Sequence, residues 1–401
     1  MFTIVKSIIF TFVSMKNYPL HLQKIMQGYT ALKNQKISGR YLNLDHITPE
    51  LEKLTDHFTI EKIGESALGE SISVIKTGNG KIRILAWSQM HGNESTTTKA
   101  VFDLLNAFKQ KKDFPVVEKI LQNCEIWIIS ILNPDGARSY TRVNANNVDL
   151  NRDAQHLQEV ESRILRKQFD RFSPHFCLNL HDQRTIFTAG DQPKPATLSF
   201  LTPSMDEERK ITASRKISMQ VISAIVRDLE KELPGQIGRY DDAFNLNCTG
   251  DTFQSEEVPT ILFEAGHYQD DYMREVTRKY VFAALISALH AIATGNYNAV
   301  DFKKYEKIPE NQKLYNDVVL RNCTVNRKKV DVSIQFKERL EHNKINFDLN
   351  IERIQPNVRT FGLREVDCKG NELALKGENG VGENVLVEEI FLNEKKLDLK
   401  P

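Results

Sequence analysis

The sequence predicts an α/β fold: a mixed, mostly parallel sheet with helices on both faces, followed by a small C-terminal antiparallel β module. Three observations predict it. Apolar runs such as "EIWIISIL" (125–132) and "TILFEA" (260–265) are hydrophobic at successive positions, as expected of strands covered on both faces. These runs alternate with stretches of helical periodicity, the pattern of an α/β domain. After about residue 300 the pattern changes to strict apolar–polar alternation in "VDVSIQF" and "INFDLNIERI", which reads as an antiparallel sheet solvated on one face.

Taken in order, "SISVIKT" (71–77) and "IRILAW" (82–87) are strands flanking the turn "GNGK". Residues 95–111 form a helix, because Val101, Leu104, Leu105 and Phe108 recur at helical spacing. The strand at 125–132 follows, then a polar loop over 133–153 and a helix over 157–171. "HFCLNL" (175–180) and "ATLSFLTP" (196–203) are further strands, and 206–232 is a long helical segment. The buried strand 260–265 and a helix over 271–293 close the domain. In the module, "DCKGNEL" carries a turn signal and "VLVEEIFL" ends the series. The expected boundaries are 1–59 for an N-terminal helical lead-in, 60–298 for the α/β domain and 299–401 for the β module.

Composition excludes several classes. The 401 residues hold 54 basic and 53 acidic side chains, so there is no electrostatic footprint for nucleic acid. The five cysteines, Cys124, Cys177, Cys248, Cys323 and Cys368, are odd in number and scattered, with no CxxC pair. That usage points to free thiols in a reducing, cytoplasmic compartment. The opening "MFTIVKSIIFTFVS" is too short to span a bilayer and precedes no small-residue cleavage site. A mis-assigned start, with Met15 as the true one, or a plain tail is favoured over a weak export signal. No transmembrane segment is expected.

Strands of α/β domains deliver functional groups at their carboxyl ends. Here the strand at 82–87 runs into His91 and Glu94, "HFCLNL" into His181, and "TILF" into Glu264. Two imidazoles and a carboxylate are a catalytic zinc set, with the fourth position left to water. Taken alone, His91 and Glu94 also read as a surface histidine and a helix N-terminal acid. Glu264 follows a buried run, where an unpaired carboxylate costs several kcal/mol; its alternative is a salt bridge to an arginine.

The motifs HGNE, NPDG, VDLNR, LHD and FEAG, in that order, resemble the zinc metallocarboxypeptidase family of the carboxypeptidase A type. The resemblance covers about residues 60–295. It implies one Zn2+ per chain held by His91, Glu94 and His181, with Asp149 orienting a ligand histidine. Asn151 and Arg152 would grip the substrate's C-terminal carboxylate, Arg142 would steady the oxyanion, and Glu264 would be the general base. Arg138, four residues before Arg142, is a second candidate for the oxyanion role. Tyr240 is the nearest candidate for the family's mobile-loop tyrosine. The side-chain pocket is expected from "CTGDTFQ", where Asp251 either favours a basic substrate or caps a turn.

Arg184 is expected to pair with Asp182, His267 to be a loop or rim histidine, and His175 and His290 to be structural. The implied function is a zinc hydrolase removing C-terminal residues from peptides. Alternatives are a zinc deacylase acting on small N-acyl amino acids and an inactive zinc- or peptide-binding module. The expected partner is thus a peptide or acylated amino-acid substrate.

Overall fold

The computed structural model describes residues 22–376 and 382–401. The opening 14 residues, for which a tail or signal is expected, lie outside the described residues. The main sheet contains β1 (Thr59–Glu65), β2 (Ser71–Thr77), β3 (Ile82–Ser88), β4 (Cys124–Ile129) and β5 (Phe176–Asp182). After the short β6 (Phe187–Ala189) it continues with β7 (Leu198–Leu201), β8 (Ile237–Arg239) and β9 (Thr260–Ala265). The order is β1-β2-β4-β3-β5-β9-β7-β8. The four central strands β4, β3, β5 and β9 are mutually parallel. The sheet is therefore mixed, with a parallel centre.

Both faces are covered, as the unbroken apolar runs require. Ile84, Ala86, Leu178 and Leu180 pack with Phe102 and Leu105 of the helix Thr96–Lys109 and with Phe282 of the helix Glu275–Thr294. Their neighbours Leu85, Trp87, Trp127 and Cys177 face the other way, onto Leu165 and Phe169 of the helix Val160–Phe172 and onto Phe253. Helix Glu275–Thr294 is long and apolar enough to cross a membrane, but 83% of its most apolar window is buried in this core. The lead-in contributes Leu22, Ile25, Tyr29 and Leu32 to the same core.

Two local expectations are corrected. The stretch 133–153 is not all loop: Pro134–Ser139 is a short helix whose Asn133 side chain accepts from the Gly136 N–H. Proline at the first helical turn and this cap supply the start signals. The long helical segment begins at Ala213 rather than at 206, where Thr212 caps it by accepting from the Arg215 N–H.

The C-terminal region opens with β10 (Asn311–Lys313), which pairs with β6. A five-stranded sheet follows: β11 (Tyr315–Val325), β12 (Lys328–Glu341), β13 (Lys344–Gln355), β14 (Phe361–Asp367) and a short strand Val385–Val387. Its pairs are antiparallel except β11 with β14, which run parallel. β14 returns to the far side of β11, so it cannot form a hairpin with β13. The expected solvated face is also only partly so. Ser333 and Gln335 of β12 are buried as fully as Val332 and Ile334, because this face of the strand lies against the α/β domain, where Gln335 donates to Thr185 Oγ1 at 2.6 Å. All five cysteines are unbridged; Cys124 and Cys177 are core residues, and the buried sulfurs of Cys323 and Cys368 lie 3.0 Å apart.

Candidate metal centre and substrate cleft

His91 and Glu94 sit on the turn that joins β3 to the helix Thr96–Lys109. Gly92 lets this turn pack against the Asn133–Ser139 segment: a Cβ there would lie 1.9 Å from the carbonyl carbon of Gly136. Gly136 answers a different need, since a Cβ on it would meet the capping Asn133 amide at 2.5 Å. The turn is closed by the Glu94 N–H donating to His91 O at 3.0 Å.

His181 lies at the end of β5, in register with Glu264 on β9. The donor atoms of His91, Glu94 and His181 all lie within 4.8 Å of one another, and the three residues are buried. His91 Nδ1 is 2.8 Å from Glu94 Oε1, His181 Nδ1 is 2.8 Å from Glu94 Oε2, and the two Nδ1 atoms are 3.1 Å apart. A tetrahedral ion with bonds of about 2.0 Å holds its donors roughly 3.3 Å apart, so these separations suit zinc. The other ring nitrogens differ. His91 Nε2 lies 3.0 Å from Asp149 Oδ1, the arrangement in which a carboxylate fixes a ligand histidine. His181 Nε2 is enclosed without a hydrogen-bond partner among the described residues, so packing rather than an outer hydrogen bond orients that ring.

Electrostatics follow from this convergence. Burial raises Glu94, but the His91 and His181 rings outweigh it and hold the carboxyl far below its usual range. Burial also opposes ionisation of Asp149, yet its hydrogen bond to His91 and the charges of His91 and Arg142 bring it down. Glu264 behaves oppositely. Its Oε2 atom is enclosed and unpaired, and burial together with the charges of Glu94 and Asp182 pushes its carboxyl well up. Among the described residues no arginine forms a salt bridge with it, so the paired-carboxylate alternative for Glu264 is not what the fold builds. Replacing Asp149 with Asn is expected to weaken zinc affinity roughly 10- to 100-fold, measured by competition with a chromogenic chelator.

Arg142 approaches the cluster. Its Nη1 is 3.3 Å from Glu94 Oε1 and its Nε 3.1 Å from Asp149 Oδ2. Arg138 instead pairs on the surface with Asp45 at 2.8 Å and Glu70 at 2.7 Å. Asn151 Oδ1 accepts from the Thr249 N–H at 3.0 Å, and Arg152 Nη1 contacts Cys248 Sγ at 3.1 Å. The two therefore border the segment 248–251. Arg152 is exposed and has no carboxylate partner among the described residues, while its charge reaches Asp251. Asp251 Oδ1 accepts from the Asn245 N–H at 3.1 Å, so it holds a turn; burial pushes its carboxyl up to about 6. Tyr240 stacks edge-on against Phe187 at 5.4 Å. Burial raises its phenol, with the charges of Glu264 and Glu94 adding to the shift.

Two expectations fail here. Arg184 does not pair with Asp182. The Asp182 carboxylate faces inward and accepts from the Thr96 and Thr97 N–H groups at 2.9 and 3.3 Å, capping a helix, while Arg184 is exposed. His267 is no rim residue: it is 1% exposed, with both ring nitrogens unpaired. Thr197 Oγ1 donates to its carbonyl and tucks the segment inward; burial, with Arg274 and Arg40 nearby, holds the ring well below the usual histidine value. His175 accepts from the Arg83 N–H and His290 is buried, both structural as expected. Sequence reasoning missed Arg40, Tyr140 and Glu338, which interlock behind the cluster. No local signal marks them, because their partners are remote in sequence.

Residues 48–186 match the family model described as zinc carboxypeptidase. Carboxypeptidase 2 of Trichophyton tonsurans is 31% identical over 118 residues, covering 29% of this chain and 21% of that protein. Carboxypeptidase SOL1 of Arabidopsis thaliana is 34% identical over 120 residues, covering 26% and 24% respectively. The matched stretch therefore spans about a fifth to a quarter of the length of these relatives. A metallo-carboxypeptidase from Pseudomonas aeruginosa, solved in complex with (2-guanidinoethylmercapto)succinic acid, superposes with a TM-score of 0.50 at 14% identity. That superposition covers 62% of this chain and 68% of the other, and it shows a shared fold.

Proposed function

We propose that this chain, whose residues 48–186 match the zinc carboxypeptidase family model, is a zinc-dependent hydrolase removing C-terminal residues from peptides. The observation that carries the reading is the convergence of His91, Glu94 and His181 beside an unpaired Glu264 carboxyl. These three residues would hold one zinc ion per chain. Bound there, zinc lowers the pKa of a water to about 7 and polarises the scissile carbonyl.

The chain's own residues supply the rest. Glu264 takes the proton from the attacking water and later delivers it to the leaving amine. Arg142, with its guanidinium beside Glu94, steadies the charge that develops on the carbonyl oxygen. Arg152 is an exposed cation without a carboxylate partner among the described residues, and its planar fork matches the substrate's terminal carboxylate. Asn151 flanks it, Tyr240 borders the cluster, and the 248–251 segment beside Arg152 would receive the terminal side chain, with Asp251 at its edge.

The test is digestion of a mixed peptide library read by mass spectrometry, with free-acid and C-terminally amidated versions of each peptide. Loss of single residues from free acids alone is expected. Equal trimming of amidated peptides, or cleavage confined to N-acyl amino acids, would remove the carboxypeptidase reading. Arg152→Ala is expected to raise KM for free-acid peptides by roughly 30- to 150-fold, the worth of about 2–3 kcal/mol for a charged hydrogen-bonded pair.

A further inference from the structure

The C-terminal β module reaches the back of the metal cluster through one carboxylate. Glu338, on β12, accepts from Arg40 Nη2 through both oxygens, at 2.7 and 2.9 Å, and also from the Tyr140 hydroxyl. Both partners lead into the site. The carbonyl of Arg40 accepts from Ser95 Oγ at 2.6 Å, and Ser95 follows Glu94 in the chain. Tyr140 lies two residues before Arg142.

Tyr140 needs a holder. Its backbone is left-handed, with φ of +55°, a conformation that a bulky residue adopts only when its surroundings impose it. The Tyr41 ring meets it edge-on at 6.2 Å, and the Tyr41 hydroxyl donates to Arg138 O at 2.8 Å. Glu338 fixes the outer end of the side chain. The turn it secures is bonded to the ligand loop as well: the Thr141 N–H donates to Gly136 O at 2.8 Å, and the Asn93 N–H donates to Thr141 O at 3.2 Å. The same region of the module braces the opposite wall. Gln335 reaches Thr185, and Asn311 Nδ2 donates to Gln183 Oε1 at 2.9 Å, both on the segment that follows His181.

We propose that Glu338 is a positioning residue of the catalytic centre: through Tyr140 and Arg40 it sets the turn that aims Arg142 at Glu94 and Asp149. The module is therefore a working part of the site, not an appendage. This inference rests on the reading of Arg142 as the group that steadies the oxyanion.

The experiment compares full-length wild type, Glu338→Ala, Tyr140→Phe, Arg142→Ala and the Arg142→Ala/Glu338→Ala double variant. Hydrogen exchange of the metal-free proteins, read by mass spectrometry, is expected to quicken at least tenfold over 138–143 in Glu338→Ala and Tyr140→Phe. Exchange in β5 is expected to stay unchanged. With zinc bound, kcat is expected to fall roughly tenfold, equivalent to about 1.4 kcal/mol, with KM within twofold of wild type. The double variant is expected to match Arg142→Ala within twofold, because two residues acting through one group do not add. Unchanged exchange over 138–143, or losses that multiply in the double variant, would overturn the proposal. Tyr140→Phe removes one hydroxyl and keeps the ring, so it decides the matter even where Glu338→Ala fails to fold. A wild type that cleaves no peptide refutes the proposed activity instead, and the exchange result then decides the positioning role alone.

Discussion

Glu264→Gln is expected to lower kcat by about a thousandfold while zinc remains bound at the wild-type level. A general base that also returns its proton contributes roughly 10²–10⁴ in rate, and a thousandfold is about 4 kcal/mol of barrier. The substitution isolates that role. Glutamine has the same volume, so the packing at the end of β9 is kept, and Glu264 is not among the three residues whose donor atoms converge. One carboxyl oxygen is enclosed without a partner, and burial and the neighbouring Glu94 and Asp182 charges favour its protonated form. A bound dication opposes that shift. The acidic limb of the kcat/KM profile is therefore expected to report Glu264 and to disappear in the variant. Metal content is measured by atomic absorption beside steady-state kinetics on a free-acid peptide. Wild-type turnover with zinc retained would falsify the assignment of Glu264 as base.

His181→Ala is expected to lose at least nine-tenths of the bound zinc and all measurable turnover. Three protein donors are the minimum of a catalytic zinc site, and His181 is the donor delivered by a different strand from the other two. A readout that needs no activity accompanies this. Zinc added to metal-free wild type stabilises the fold by about 4 kcal/mol at a thousandfold excess over Kd, seen as a rise in melting temperature of several degrees. The variant is expected to show no rise. An equal rise in both proteins would place the metal elsewhere.

Much of the site was legible because its chemistry is local. His91 and Glu94 are three residues apart on one turn, and Asp149, Asn151 and Arg152 share another. The central strands were legible too, since continuous apolar runs report burial on both faces, and β5 and β9 prove buried in that way. Periodicity reports how deeply a residue is buried but not what it meets. Asp182 and Arg184 look like a pair in "HDQR", yet the first caps a helix and the second faces solvent. His267 does lie on a loop, as read from sequence, yet the loop buries it and Thr197 Oγ1 donates to its carbonyl.

The sequence by itself thus determined the class of fold, because continuous apolar runs alternating with helical periodicity leave few physical alternatives, and the resemblance of its motifs nominated His91, Glu94, His181 and Glu264 as candidates. Only the tertiary structure placed Arg142 beside the cluster and Arg138 on the surface, brought His181 into register with Glu264, and turned the polar face of β12 inward onto the α/β domain. Those outcomes depend on pairings between strands and loops far apart in the chain. The free energy of such contacts appears only when the sheet has formed and two remote segments exclude water from one another.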